Sequence, residues 1–171
     1  MSNLPEKNPI LEAIADWGDA NHDKIYAAYA QKGGWEGWVQ VELAIHLGKH
    51  FGGQGQSLTS REQYVYNGTN QKCDLLIETA KYNGEHFVNM FELKCESSGN
   101  ANKFRTDVQG DCTKIGNGVW KYSPCTWWII GFGVDKAVGD LVVKHQNLQA
   151  YHRQIKVGNG AVTLWWAKGT N

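Results

Sequence analysis

Two apolar runs that carry charges constrain this chain more than any other feature. Residues 72–79 read KCDLLIET and residues 86–95 read HFVNMFELKC, with Tyr82-Asn83-Gly84 between them. Apolar runs of this length around a turn signal predict two antiparallel strands of one hairpin. Asp74 lies near the start of the first run, and Glu92 and Lys94 near the end of the second. A charge inside such a run is costly unless it is paired or binds something. Side chains two apart on a strand share a face, so Glu92 and Lys94 point the same way. The hairpin is expected to bring Asp74 beside Glu92.

The remaining elements follow from periodicity and punctuation. Residues 9–31 predict helix with a break near Gly18, and residues 35–51 predict a second helix ended by Gly52, Gly53 and Gly55. Residues 52–60 read as a polar loop, 62–66 as a short strand, and Asn67-Gly68 as a turn. After the hairpin come a helix at about 101–115, a buried strand at 126–134, a helix at 138–151 and a last strand at 161–168. The order is helix, helix, three strands, helix, strand, helix, strand. It predicts an α/β (α+β) fold with a mixed sheet flanked by helices. Strands 86–95 and 126–134 should be parallel, joined by a right-handed crossover. The 171 residues suit one domain, divided into N-terminal helices (9–51), a core (35–134) and a C-terminal helix and strand (138–168).

Composition excludes several classes. The chain is 42% hydrophobic and 20% charged, as a folded domain is. No apolar run is long enough to span a bilayer, and the start MSNLPEKNPILEA lacks the pattern of a signal peptide. A cytoplasmic protein is expected, with delivery into a target cell by another route left open. Net charge is zero, but residues 101–171 hold nine Lys/Arg against four Asp/Glu. That bias points mildly to phosphate. The four cysteines form no CxxC pair, so a zinc ribbon is not indicated, and they read as buried thiols. Gly52–Gly55 lack the Lys-Ser/Thr of a phosphate-binding loop, and no serine lies in a GxSxG context.

Two carboxylates at close range repel, and a hard divalent cation removes the problem. Asp74, Glu92 and the Leu93 carbonyl offer Mg²⁺ the oxygen ligands it prefers, with Mn²⁺ as a substitute. Lys94 adds an ammonium that can hold water or stabilise charge growing on a phosphate. Glu42 is the only acid in residues 37–51 and stacks with His46 and His50 at helical spacing, a stripe that could line the same cleft. Lys103, Arg105 and Lys114 fall on the following helix, as phosphate contacts would; a solvated helix face explains them equally well. Glu96 continues the same strand face as Glu92 and Lys94, as a third acid or, the reading preferred, a solvent-exposed residue. Adjacent Trp127-Trp128 and Trp165-Trp166 place one ring on each sheet face, while Trp35 and Trp38 are core residues or base-stacking platforms.

Asp74, seventeen residues, then Glu92-Leu93-Lys94, preceded by the helix with Glu42, resembles the PD-(D/E)XK nuclease superfamily over residues 35–134. Cys73 stands where the family's proline would be. Gln109 matches the Gln of a Gln-x-x-x-Tyr motif carried by some members, with Thr113 in place of the Tyr. The resemblance implies a restriction-endonuclease-like core and Mg²⁺-dependent cleavage of nucleic acid, DNA ahead of RNA. Its site would be Glu42, Asp74, Glu92, Lys94 and Gln109. A stand-alone nuclease of this kind also resembles toxin domains held by an immunity or inhibitor protein. The rival readings are an RNA nuclease of the same fold, a non-catalytic binding module, and a sugar- or protein-binding domain that uses its tryptophans.

Overall fold

The computed structural model describes residues 8–51, 57–80, 86–139, 141, 151–158 and 162–170. Three helices come first: α1 (Pro9–Ala20), α2 (His22–Tyr29) and α3 (Glu36–Phe51). Asn8 caps α1, its side chain accepting from the amides of Ile10 and Leu11 at 3.0 and 3.3 Å, and Pro9 follows at the first helical position, where no amide is needed. The break expected near Gly18 falls at Asn21 instead. Gly18 stays helical and buried, while Asn21 leaves the helical region and its amide group donates to the Trp17 carbonyl at 2.9 Å. In α3 the buried residues Val39, Gln40, Leu43 and Leu47 form a stripe at helical spacing.

The strands are β1 (Ser57–Tyr64), β2 (Lys72–Ala80), β3 (His86–Cys95), β4 (Cys125–Gly133), β5 (Tyr151–Val157) and β6 (Val162–Thr170). Helix α4 (Ala101–Asn117) joins β3 to β4, and the short α5 (Asp135–Gly139) follows β4. One mixed sheet results, in the order β1-β2-β3-β4-β6-β5. Among the described residues only β3 and β4 pair in parallel, as expected for a strand–helix–strand unit. Asn100 fixes the start of α4 over the end of β3: its side chain accepts from the Ser97 amide at 2.7 Å and donates to the Cys95 carbonyl at 3.2 Å.

Both faces of the sheet are covered, which explains why the central strands read as near-continuous apolar runs. Leu75, Ile77, Phe91, Leu93, Trp128 and Trp166 pack towards α1 and α3. Leu76, Met90, Trp127, Ile129 and Trp165 pack with Phe104 and Val108 of α4. The paired tryptophans thus divide between the faces as expected. Trp35 belongs to the core, with its ring N–H donating to the Glu96 carbonyl at 2.7 Å. All four cysteines are buried and none is in a disulfide.

Two expectations need correction. β1 begins at Ser57, inside the segment read as loop, because SLTSREQY carries no apolar alternation; residues 52–56 lie outside the described residues. Of the helix expected over 138–151, residues 138 and 139 fall in Asp135–Gly139, residues 140 and 142–150 lie outside the described residues, and Tyr151 opens strand β5. β5 (YHRQIKV) is polar and lies at the sheet edge, where one flank is unpaired and a strand needs little apolar character. The hairpin turn at 82–84 lies outside the described residues, although β2 and β3 pair antiparallel up to Ala80 and His86. No helix among the described residues is long and apolar enough to cross a membrane.

Candidate active site

The β2–β3 ladder runs from Ala80–His86 to Leu75–Phe91 and then stops. The next pair in register would be Asp74 with Glu92. Here β2 loses its regular alternation. Cys73 packs on the α4 side with Leu76, whereas Leu75 and Ile77 pack on the other. Opposite this slip, β1 places Glu62 at φ 55°, between residues paired with Cys73 and Leu75. A non-glycine residue in that region marks local strain or a special role. Asp74 is therefore released from the ladder. One carboxylate oxygen accepts from the Leu93 amide at 2.6 Å, and the other accepts from the Gln40 side chain at 2.8 Å. The carboxylate stands in for the backbone partner that the parted strands no longer supply. Arg61 holds Gln40 from the far side at 2.9 Å.

Into this parted end come charges from four elements. Glu92 is only 1% exposed. Its Oε1 accepts from the Tyr66 hydroxyl at 3.3 Å and its Oε2 from Lys114 Nζ at 2.6 Å. Lys94 Nζ donates to the Leu93 carbonyl at 2.8 Å and to Glu36 Oε1 at 3.2 Å, and lies 3.2 Å from Asp111 Oδ2. Asp111 Oδ1 lies 3.5 Å from Lys114 Nζ. Four carboxylates thus meet two ammoniums. The excess of formal negative charge is buried, and the acids respond. Burial raises Glu92 to about 8, with Asp111 adding to the rise and Lys114 opposing it. Burial also raises Glu36 and Asp74, against the pull of Lys94 on each. Burial alone would lower Lys94, but Asp111, Glu36 and Asp74 outweigh it and hold the amine above its ordinary value. Lys114 is raised in the same way, mainly by Glu92 and Asp111.

A cleft of about 550 Å³ opens on this cluster. Gly33, Gly34 and Gly37 line it from the start of α3 and Gly110 from α4, with Lys94 and Asp111 reaching into it. Gly33 and Gly34 have φ of 103° and 77°, which only glycine adopts freely, and a side chain at either would project into open space.

Of the expected site residues, Asp74, Glu92, Leu93 and Lys94 come together. Glu42 does not join them. It lies two residues past Gln40, about 200° around the helix, and no hydrogen bond or ion pair links it to the cluster among the described residues. Helix α3 contributes Glu36 and Gln40 instead, one turn apart. His46 and His50 share the expected stripe, their rings 6.3 Å apart and nearly parallel. Gln109 is exposed, and its carbonyl accepts from the Thr113 hydroxyl at 3.0 Å. Asp111, two residues on, turns inward in its place. Lys103 is exposed on the cleft and pairs with Asp107 at 3.2 Å, and Arg105 is exposed. Lys114 is mostly buried, and its ammonium is paired with Glu92 at 2.6 Å. Glu96 is buried rather than exposed, and its carboxylate accepts from the Val134 amide at 2.7 Å.

Sequence reasoning missed Glu36, Gln40, Tyr66 and Asp111. Glu36 and Gln40 had a readable signal: they are four apart on a predicted helix, and a window begun one residue earlier contains both. Asp111 and Lys114, three apart on α4, also share a face. Tyr66 had none, since its role depends on a bridge to Trp120 that no local pattern reveals.

Carboxylates and a carbonyl are what a hard cation takes. Among the described residues, however, no three His, Cys, Asp or Glu side chains form a group that could hold a metal ion. The oxygens are engaged by Lys94, Lys114, Tyr66, Gln40 and a backbone amide. Compared with known proteins, the chain matches no family model, no curated protein and no solved structure.

Proposed function

We propose that this protein is a nuclease of the PD-(D/E)XK type that hydrolyses phosphodiester bonds with a divalent cation, DNA being its expected substrate. The observation that carries this reading is the convergence of Asp74 with Glu92-Leu93-Lys94 where β2 and β3 part, beside an open cleft. Two further features support it. The sequence α3, β1–β3, α4, β4 follows the order of a restriction-endonuclease-like core. An acid on the preceding helix, Glu36, reaches the same cluster.

Each residue has a task that follows from its surroundings. Lys94 is held protonated, so it serves as a donor and not as a base. It orients the attacking water or stabilises charge gathering on the phosphate oxygens. The Leu93 carbonyl fixes that ammonium from one side and Glu36 from the other. Gln40 and the Leu93 amide lock the orientation of Asp74. Asp74, Glu92 and the Leu93 carbonyl are the groups that would hold Mg²⁺. A bound cation would supply charge neutralisation and a more acidic water.

The test is digestion of plasmid DNA and of total RNA, with Mg²⁺, with Mn²⁺ and with chelator. The expected result is cation-dependent cutting of DNA that Lys94→Ala abolishes. Preferential cutting of RNA would move the substrate and keep the chemistry. No cutting of either polymer with either cation would replace the nuclease by a binding module.

A further inference from the structure

Outside the cleft, three side chains distant in sequence gather beside the charged cluster. Tyr64 ends β1 and is 49% exposed. Its cross-strand partner is Lys72, at the start of β2, whose ammonium lies 4.9 Å from the ring centroid. Lys121 comes from the loop between α4 and β4, and its ammonium lies 5.7 Å from the same centroid. That loop is tied down. The Val119 and Trp120 carbonyls accept from Asn67 at 2.6 and 3.0 Å, and the Lys121 amide donates to the Val65 carbonyl at 2.9 Å. Neither ammonium pairs with a carboxylate among the described residues. A groove of about 320 Å³ adjoins Lys121 and is also lined by Tyr66, Gly68, Thr69 and Asn70. The patch meets the cluster at two points. Tyr66, in the groove wall, donates its hydroxyl to Glu92 at 3.3 Å, and the Lys72 carbonyl accepts from Lys114 Nζ at 3.3 Å.

We propose that this patch is a platform for single-stranded nucleic acid, with an unpaired base stacked on Tyr64 and the adjoining phosphates held by Lys72 and Lys121. An exposed ring flanked by cations is the combination that binds single strands, the ring taking a base face and the ammoniums following the backbone. A duplex keeps its base faces stacked inside and offers such a patch only phosphate. An ammonium over an exposed ring is a weaker contact than a stacked base. Lysine stems are flexible, so each ammonium can pass from the ring to a phosphate as the base arrives. The inference rests on the nuclease reading for the class of its ligand, and narrows the substrate to a polymer with an unpaired stretch. Because Tyr66 lines the adjoining groove and reaches Glu92, a strand that leaves Tyr64 along the groove arrives at the cluster.

The experiment is fluorescence anisotropy of a labelled oligothymidylate and of a duplex of equal length, on the full chain in chelator so that nothing is cut. Wild type should bind the single strand more tightly than the duplex. Tyr64→Ala should lose about fivefold to a hundredfold in affinity for the single strand, and Tyr64→Phe, which keeps the ring face, should stay within about twofold of wild type. Lys72→Gln and Lys121→Gln should each weaken binding and reduce the slope of log K against log salt by about 0.7. All three side chains lie on the surface, and circular dichroism checks that each variant is folded. No binding of the single strand, equal affinity for both polymers, unchanged binding by Tyr64→Ala, or a loss in Tyr64→Phe as large as in Tyr64→Ala overturns the proposal. So does co-sedimentation with phosphatidylserine vesicles by a protein that binds neither oligonucleotide, which would make the patch a lipid contact. Tyr64-dependent binding without cutting in Mg²⁺ or Mn²⁺ sinks the nuclease reading alone. Cutting by a protein whose binding is indifferent to Tyr64 sinks this inference alone.

Discussion

The two ends of the β2–β3 pair are built on opposite terms. From Ala80–His86 to Leu75–Phe91 the backbones satisfy each other, and Leu75, Leu76, Ile77, Val88, Met90 and Phe91 fill the cores. Phe91 there lies flat against Trp128, ring centroids 5.9 Å apart and planes within 9°. One step further the backbones part. A carboxylate replaces a strand partner, and six charged groups from α3, β2, β3 and α4 occupy the gap. The paired end supplies stability; the parted end stores unbalanced charge next to solvent. The second is possible because the first holds both strands in place.

That division can be broken in ways that differ in size. Lys94→Ala should lower cleavage by about 10²–10³-fold or more, the usual loss when a positioned charge donor is removed. Its circular dichroism spectrum and plasmid gel should show a folded, inactive protein; retained activity would take Lys94 out of the mechanism. At the paired end the pattern reverses. Phe91→Ala should cost about 3–5 kcal/mol of stability through the cavity it leaves. Urea denaturation measures that loss, and the fraction still folded should keep cutting.

Asp74 separates the two roles within one residue. Asp74→Ala strands the buried Leu93 amide and should cost about 1–3 kcal/mol. Asp74→Asn retains an acceptor for that amide, so it should melt closer to wild type while cutting as poorly as the alanine variant. Equal melting of the two variants would show that the carboxylate does not hold the strands.

The charge imbalance predicts a pH dependence. Glu92 keeps its proton in the folded protein up to about 8, whereas the unfolded chain releases it near 4.5. The folded state therefore binds more protons in that window, and stability should fall as pH rises through it. Glu36 and Asp74 are raised too and act in the same direction. Melting temperature against pH checks the slope, and Glu92→Gln should flatten it. The smallest effect is expected at Gln109. Exposed and unconnected to the cluster, it should tolerate alanine within about 0.5 kcal/mol and without loss of cutting.

Legibility in the sequence follows the same divide. The central strands were readable because burial on both faces writes itself as apolar runs, and charges within those runs exposed Asp74, Glu92 and Lys94. Edge strand β5 was not, and β1 was read only in its last residues from Glu62, because neither needs apolar alternation. On α3 the acid chosen was Glu42, conspicuous among apolar neighbours, while Glu36 sat at the helix start and looked ordinary. Lys114 read equally as a phosphate contact or as part of a solvated helix face, and Asp111 carried no signal of its own, since only the tertiary fold reveals that α4 turns both onto the cluster.

The sulfur atoms are sealed away. Cys73, Cys95, Cys112 and Cys125 lie in the cores, and burial raises every one of these thiols, Cys112 and Cys125 to about 12. Nucleophilic attack by sulfur requires an accessible thiolate, and here neither condition is met. A folded chain of this design should pass between reducing and oxidising surroundings without forming crosslinks, its chemistry left to oxygen and nitrogen alone.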